Sequence, residues 1–155
     1  MRQFALSTAL LGLAGTAFAA GSGDHSHGDM PAGQPGAAAE VTRTIEIRMI
    51  ETAGGMGYEP GALEVEAGET VRLAVTNAGA LEHELVLGTE ASNRAHMAEM
   101  AEMPDMEHDD PNALRLDPGE SGEIVWTFTD EGTFQFACLI PGHMEAGMHG
   151  PVTVN

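Results

Sequence analysis

CLIPGHMEAGMHG, residues 138–150, holds the only cysteine of the chain together with two histidines and two methionines. It ends an alternating run in which Phe134, Phe136 and Cys138 share one face of a strand, so the thiol is expected to point inward where the strand stops. Pro141-Gly142 predicts a tight turn that folds His143 back toward the sulfur, and a second turn at Gly147 delivers Met148. A thiolate, an imidazole and a thioether from one loop suit copper, whose sites combine Cys and two His with a weak axial Met. That set lacks one histidine. His83 is the candidate for it, because it opens the run HELVL in phase with Leu85 and Leu87 and follows the loop NAGALE. A lone in-phase histidine is more often a structural one, and it is the otherwise incomplete copper set that argues for His83 as a ligand.

Other chemistries fit the same residues less well. Zinc accepts Cys and His but gains little from a thioether, and its structural sites usually include a second cysteine. A Cys-His hydrolase needs a partly exposed nucleophile, an oriented base and an oxyanion site, and none of these can be read from the sequence. The chain is therefore expected not to be an enzyme.

Outward from the loop, short alternating segments recur. They are Ile45, Ile47 and Met49; Leu63 and Val65; Val71, Leu73 and Val75; Ile124, Trp126 and Phe128; and Val152 and Val154. Glu59-Pro60-Gly61, Ala67-Gly68-Glu69, Asn77-Ala78-Gly79 and Asp117-Pro118-Gly119 supply turn residues between them. The pattern predicts an all-β sandwich or barrel of about eight strands. One stretch breaks the rhythm. Thr89 to Met103, rich in Ala, Glu and Met, has cap-like Thr89 or Ser92 at its start and Pro104 after its end, and predicts a helix inserted between strands.

The first residues, MRQFALSTALLGLAGTAFAA, combine Arg2, an apolar run and Ala17-Phe18-Ala19, the pattern of a secretory signal over 1–19 cut after Ala19. Residues 20–40 are poor in large apolar groups and predict a flexible tail carrying His25 and His27. Residues 41–155 then form the folded domain. Export places the unpaired Cys138 in an oxidising compartment, so it must be buried, reactive or metal-bound.

Charge is one-sided, with 24 acidic residues against six arginines and no lysine, and a formal net charge of −18. Such a surface repels nucleic acid and anionic membranes, and it attracts metal cations or a protein with a basic patch. No membrane span is expected once the signal is removed.

Together these residues resemble the cupredoxins, the fold of plastocyanin, azurin and rusticyanin, whose C-terminal copper loop runs Cys, His, Met. Here the loop reads Cys138-x4-His143-x4-Met148 and is followed by Gly150. The resemblance runs from about Val41 to Asn155 and includes YEPGALEVEAGETVRLAVTNAG before the first histidine. It implies a Greek-key β-sandwich with one mononuclear Cu(I)/Cu(II) site at His83, Cys138, His143 and Met148. A narrower likeness is to the CopI-like periplasmic copper-tolerance proteins, carried by HELVLGTE, MEHDDPN, GEIVWTF and the His- and Met-containing tail. It implies a periplasmic role in surviving copper. The alternative is an electron shuttle between respiratory or photosynthetic proteins, acting through the same centre.

The surplus of soft ligands favours tolerance. His96, Met100 and Met103 fall at i, i+4 and i+7, with Met97, Met106 and His108 nearby, and they serve either packing or transient Cu(I) binding. Met144 and His149 adjoin the proposed ligands and are expected to turn outward as bystanders.

Overall fold

The computed structural model describes Met30, residues 32–102 and residues 110–155. The predicted signal, His25, His27, Met103, Met106 and His108 lie outside the described residues. Alternation of buried and exposed side chains builds the strands. Along β2 (Arg43–Thr52), Ile47 and Met49 are buried, and along β5 (Thr70–Asn77), Val71, Leu73 and Val75 are. The same two-residue period puts His83, Leu85 and Leu87 of β6 (His83–Gly88) inside, and Ile124 and Trp126 of β8 (Ser121–Thr127).

Ten strands are present among the described residues, where alternation suggested about eight. They form two five-stranded sheets. In the first, β1 (Gln34–Pro35), β8, β5, β2 and β3 (Gly55–Glu59) lie side by side. In the second the order is β4 (Leu63–Val65), β10 (His149–Val154), β9 (Gly132–Ala137), β6 and β7 (Ala113–Leu116). Pairing is antiparallel except for β2 with β5 and β4 with β10. Trp126, Ile47 and Leu73 from one sheet meet Phe136, Leu85 and Leu87 from the other in a single core that also contains Cys138 and Met148. The architecture is the predicted cupredoxin-type sandwich, and its sheet ends place the candidate site.

Part of the segment expected as a tail, 20–40, is held on the sandwich. Ala32 is buried, its carbonyl accepts the Trp126 indole N–H at 3.2 Å, and Gln34–Pro35 pair with Trp126 and Thr127. The segment has little apolar area to bury, so its order comes from backbone hydrogen bonds that cover the edge of β8.

The inserted helix α1 spans Glu90–Glu102. Thr89 and Ser92, each a candidate cap, act together. The Thr89 hydroxyl accepts the Ser92 N–H at 3.0 Å, and the Ser92 hydroxyl accepts the Thr89 N–H at 2.9 Å, a reciprocal closure of the first turn. Asn93 is buried and donates to the Gln135 side chain at 3.1 Å, fastening the helix to β9.

Candidate metal centre

His83 is fully buried at the start of β6, and Cys138 is fully buried one residue past the end of β9. Both strands belong to the second sheet, where they pair, so the two side chains emerge side by side at one end of the sandwich. The loop that follows turns twice. His143 N–H donates to the Ile140 carbonyl at 3.0 Å, and Gly147 N–H donates to Met144 at 3.0 Å. The first turn brings His143 Nδ1 to 3.4 Å from Cys138 Sγ and 3.2 Å from His83 Nδ1. One ligand atom from each of His83, Cys138 and His143 lies within 4.8 Å of the others. Met148 is fully buried, in the same core cluster as Cys138. It is held beside the cysteine by two backbone bonds, Cys138 N–H to Met148 O and Met148 N–H to His143 O, both 3.0 Å.

The spacing suits a single ion. Two nitrogens each about 2.0 Å from one metal and about a tetrahedral angle apart stand roughly 3.3 Å from each other. A soft thiolate with two imidazoles and a buried thioether nearby is the donor chemistry of copper.

The surroundings of the donors carry no motif of their own. Glu84 N–H points at Cys138 Sγ at 3.5 Å, and the Glu84 carboxylate accepts the Leu139 N–H at 2.8 Å. Tyr58, edge-on to Phe136, donates its hydroxyl to the Glu84 carbonyl at 2.6 Å. Asn77, buried, spans the loop before His83 by donating to the carbonyls of Leu81 and Leu116 and accepting Gly79 N–H. Glu51 reaches His83 Nε2 at 3.0 Å. The only trace of Glu51 in the sequence is its parity with Ile45, Ile47 and Met49 at the end of a strand, which does not by itself mark a role.

Electrostatics keep the cysteine neutral until a cation arrives. Burial pushes the Cys138 thiol up to about 12, against the pull of the Glu84 and Ile140 N–H groups. Metal binding therefore has to release its proton. Burial, and then repulsion from His83, holds His143 below the ordinary histidine range, which leaves its ring neutral and able to donate a lone pair at neutral pH.

The neighbours of the two turns divide. His149 is exposed, as expected of a bystander. Met144 is not turned to solvent. It is buried with Ala137 and Leu139 against Met97 of α1, because the inserted helix covers that side of the loop and gives the thioether an apolar place to pack. On the helix, Met100 is buried and His96 is half-buried.

A two-sheet sandwich with a Cys, His, Met loop at one end defines a cupredoxin. The chain belongs to the copper binding proteins of the plastocyanin/azurin family, whose model matches residues 45–155, and copper is its cofactor. Within that family it is 54% identical over 134 residues to the copper-resistant cuproprotein CopI of Rubrivivax gelatinosus, covering 86% of this chain and 79% of the relative. CopI of Pseudomonas aeruginosa is 39% identical, over 79% of this chain and 81% of the relative. Among solved structures, auracyanin B superposes with a TM-score of 0.63 at 28% identity, over 83% of this chain and 99% of that one.

Proposed function

We propose that the chain is an exported, periplasmic copper-tolerance protein that works by binding copper and handling its redox state, and not as an enzyme. Residues 1–19 direct export, 20–40 carry His25 and His27 and dock on β8 toward their C-terminal end, and 41–155 hold one copper at His83, Cys138, His143 and Met148. The observation that carries this reading is the convergence of His83, Cys138 and His143 within 4.8 Å. The likeness to two proteins named for copper resistance supports the tolerance role.

Bound copper would supply a one-electron couple. The chain's own residues hold the donors in place as charge changes. Glu84 N–H steadies the Cys138 sulfur, Tyr58 steadies the Glu84 carbonyl, and paired strand ends fix His83 and Cys138. Few atoms then need to rearrange when an electron moves. Among the described residues no helix is long and apolar enough to cross a membrane, and the proposed partners are copper ions and a redox protein with a basic patch.

The electron-shuttle reading has one observation in its favour. His143 is half-exposed beside three buried donors, and Leu81 is 47% exposed on the loop before His83, so an imidazole edge and an apolar contact both face outward. Growth separates the two readings. A strain lacking the protein should grow normally at trace copper and fail at elevated copper, with rescue by the wild type and none by Cys138→Ser. Intact tolerance with a respiratory or photosynthetic defect independent of copper load would establish the shuttle instead.

A further inference from the structure

Glu51 belongs to β2 in the first sheet, whereas His83 begins β6 in the second, so their contact bridges the sandwich at its metal-binding end. A single carboxylate oxygen, Oε1, lies 2.9 Å from the backbone N–H groups of both Ala80 and Leu81 and 3.0 Å from His83 Nε2. An ionised carboxylate only accepts hydrogen bonds, so His83 must carry its proton on Nε2. Its lone pair is then on Nδ1, the atom that faces His143 Nδ1. Space has been left for this contact. A Cβ on Gly79 would lie 2.5 Å from Glu51 Oε1 and 3.1 Å from His83 Nε2, so any larger residue there would displace the carboxylate.

We propose that Glu51 is a positioning residue for the copper centre, fixing the His83 tautomer and placing a negative charge behind that ligand so that Cu(II) is favoured over Cu(I). A carboxylate behind a ligating histidine raises the basicity of the ring, and losing such a partner typically weakens metal binding by about 10- to 100-fold. The added charge acts more strongly on the divalent ion. This rests on the assignment of His83 as a ligand, and the test separates the two claims.

The first measurement needs no metal. Nitrogen NMR of the copper-free protein should find the His83 proton on Nε2, and Glu51→Ala should shift population to the Nδ1-H form. The second compares copper affinities. Glu51→Gln keeps an oxygen acceptor and removes the charge, and Gly79→Ala displaces the carboxylate without altering it. Both should retain the thiolate-to-copper band while losing about tenfold more affinity for Cu(II) than for Cu(I), which raises the potential by about 59 mV. Wild-type tautomer and potential in all three variants, with the fold and the band intact, would overturn the role of Glu51. A copper-loaded wild type without a thiolate band, or a His83→Ala variant with unchanged band and affinity, would overturn the ligand assignment.

Discussion

Met148 and Met144 come from one loop and are both buried, but they pack in different company. Met148 lies in the main core with Cys138, and Met144 lies in a small cluster with Ala137 and Leu139, next to Met97. If Met148 is the fourth donor proposed above, Met148→Leu should keep copper and fold while raising the reduction potential, since it would remove a weak thioether donor. The shift should be on the order of a tenfold change in the Cu(I):Cu(II) affinity ratio, about 59 mV. Met144→Leu should leave potential and visible band alone, and Met144→Ala should cost about 2 kcal/mol in denaturant unfolding, at the low end for a buried methionine near a surface. Voltammetry and unfolding curves on the three variants check this, and a potential shift confined to Met144→Leu would reverse the roles. The four candidate donors could be read from sequence because a thiol, imidazoles and a thioether at turn-defined spacing have little use except to hold a soft metal ion. Glu51, Glu84 and Asn77 could not, since their work depends on neighbours from other strands, and a carboxylate in an acidic chain carries no label of its own.

At the scale of elements, α1 is held by its cap and by Asn93 more than by a strong apolar stripe. The reciprocal bonds of Thr89 and Ser92 satisfy first-turn N–H groups, and Asn93 ties the helix to Gln135. Thr89→Ala should cost about 1 kcal/mol and loosen the helix before the sandwich. Hydrogen exchange should show faster turnover at the first turn of α1 with β6 and β9 unchanged. Equal acceleration across the sheets would mean that the helix is part of the global unfolding unit. Strands with clean alternation, such as β2, β5, β6 and β8, were readable because each buries one face. Gln34–Pro35, Gly55–Glu59 and Ala113–Leu116 were not, since they are short, Gly-containing or weakly alternating, and they pair along strands whose own patterns are clear.

For the whole molecule, a net charge of −18 makes the few arginine pairs matter as the pH falls. Glu69 accepts from Arg43 Nε and Nη2, both at 3.0 Å, and chiefly this pairing holds its carboxyl below the ordinary 4.5. A carboxyl lowered in the folded state adds stability that is fully present above about pH 4.5 and fades as pH drops through the lowered value. Arg43 is half-exposed, so the contribution is about 0.5–1 kcal/mol. Denaturant midpoints taken from pH 7 to 3 should fall less steeply for Arg43→Ala than for wild type over that acid window, and parallel curves would show that the pair adds nothing to acid stability. At the metal end of the molecule the loop is gripped through main-chain atoms. Met56 N–H donates to the Ala146 carbonyl at 3.0 Å, and a Cβ on Gly55 would lie 2.3 Å from that same oxygen. A clasp made of backbone does not depend on the side chain at exposed Glu145, so exchanging it should leave the loop seated. Any side chain at Gly55, far away in sequence, should prise the loop off.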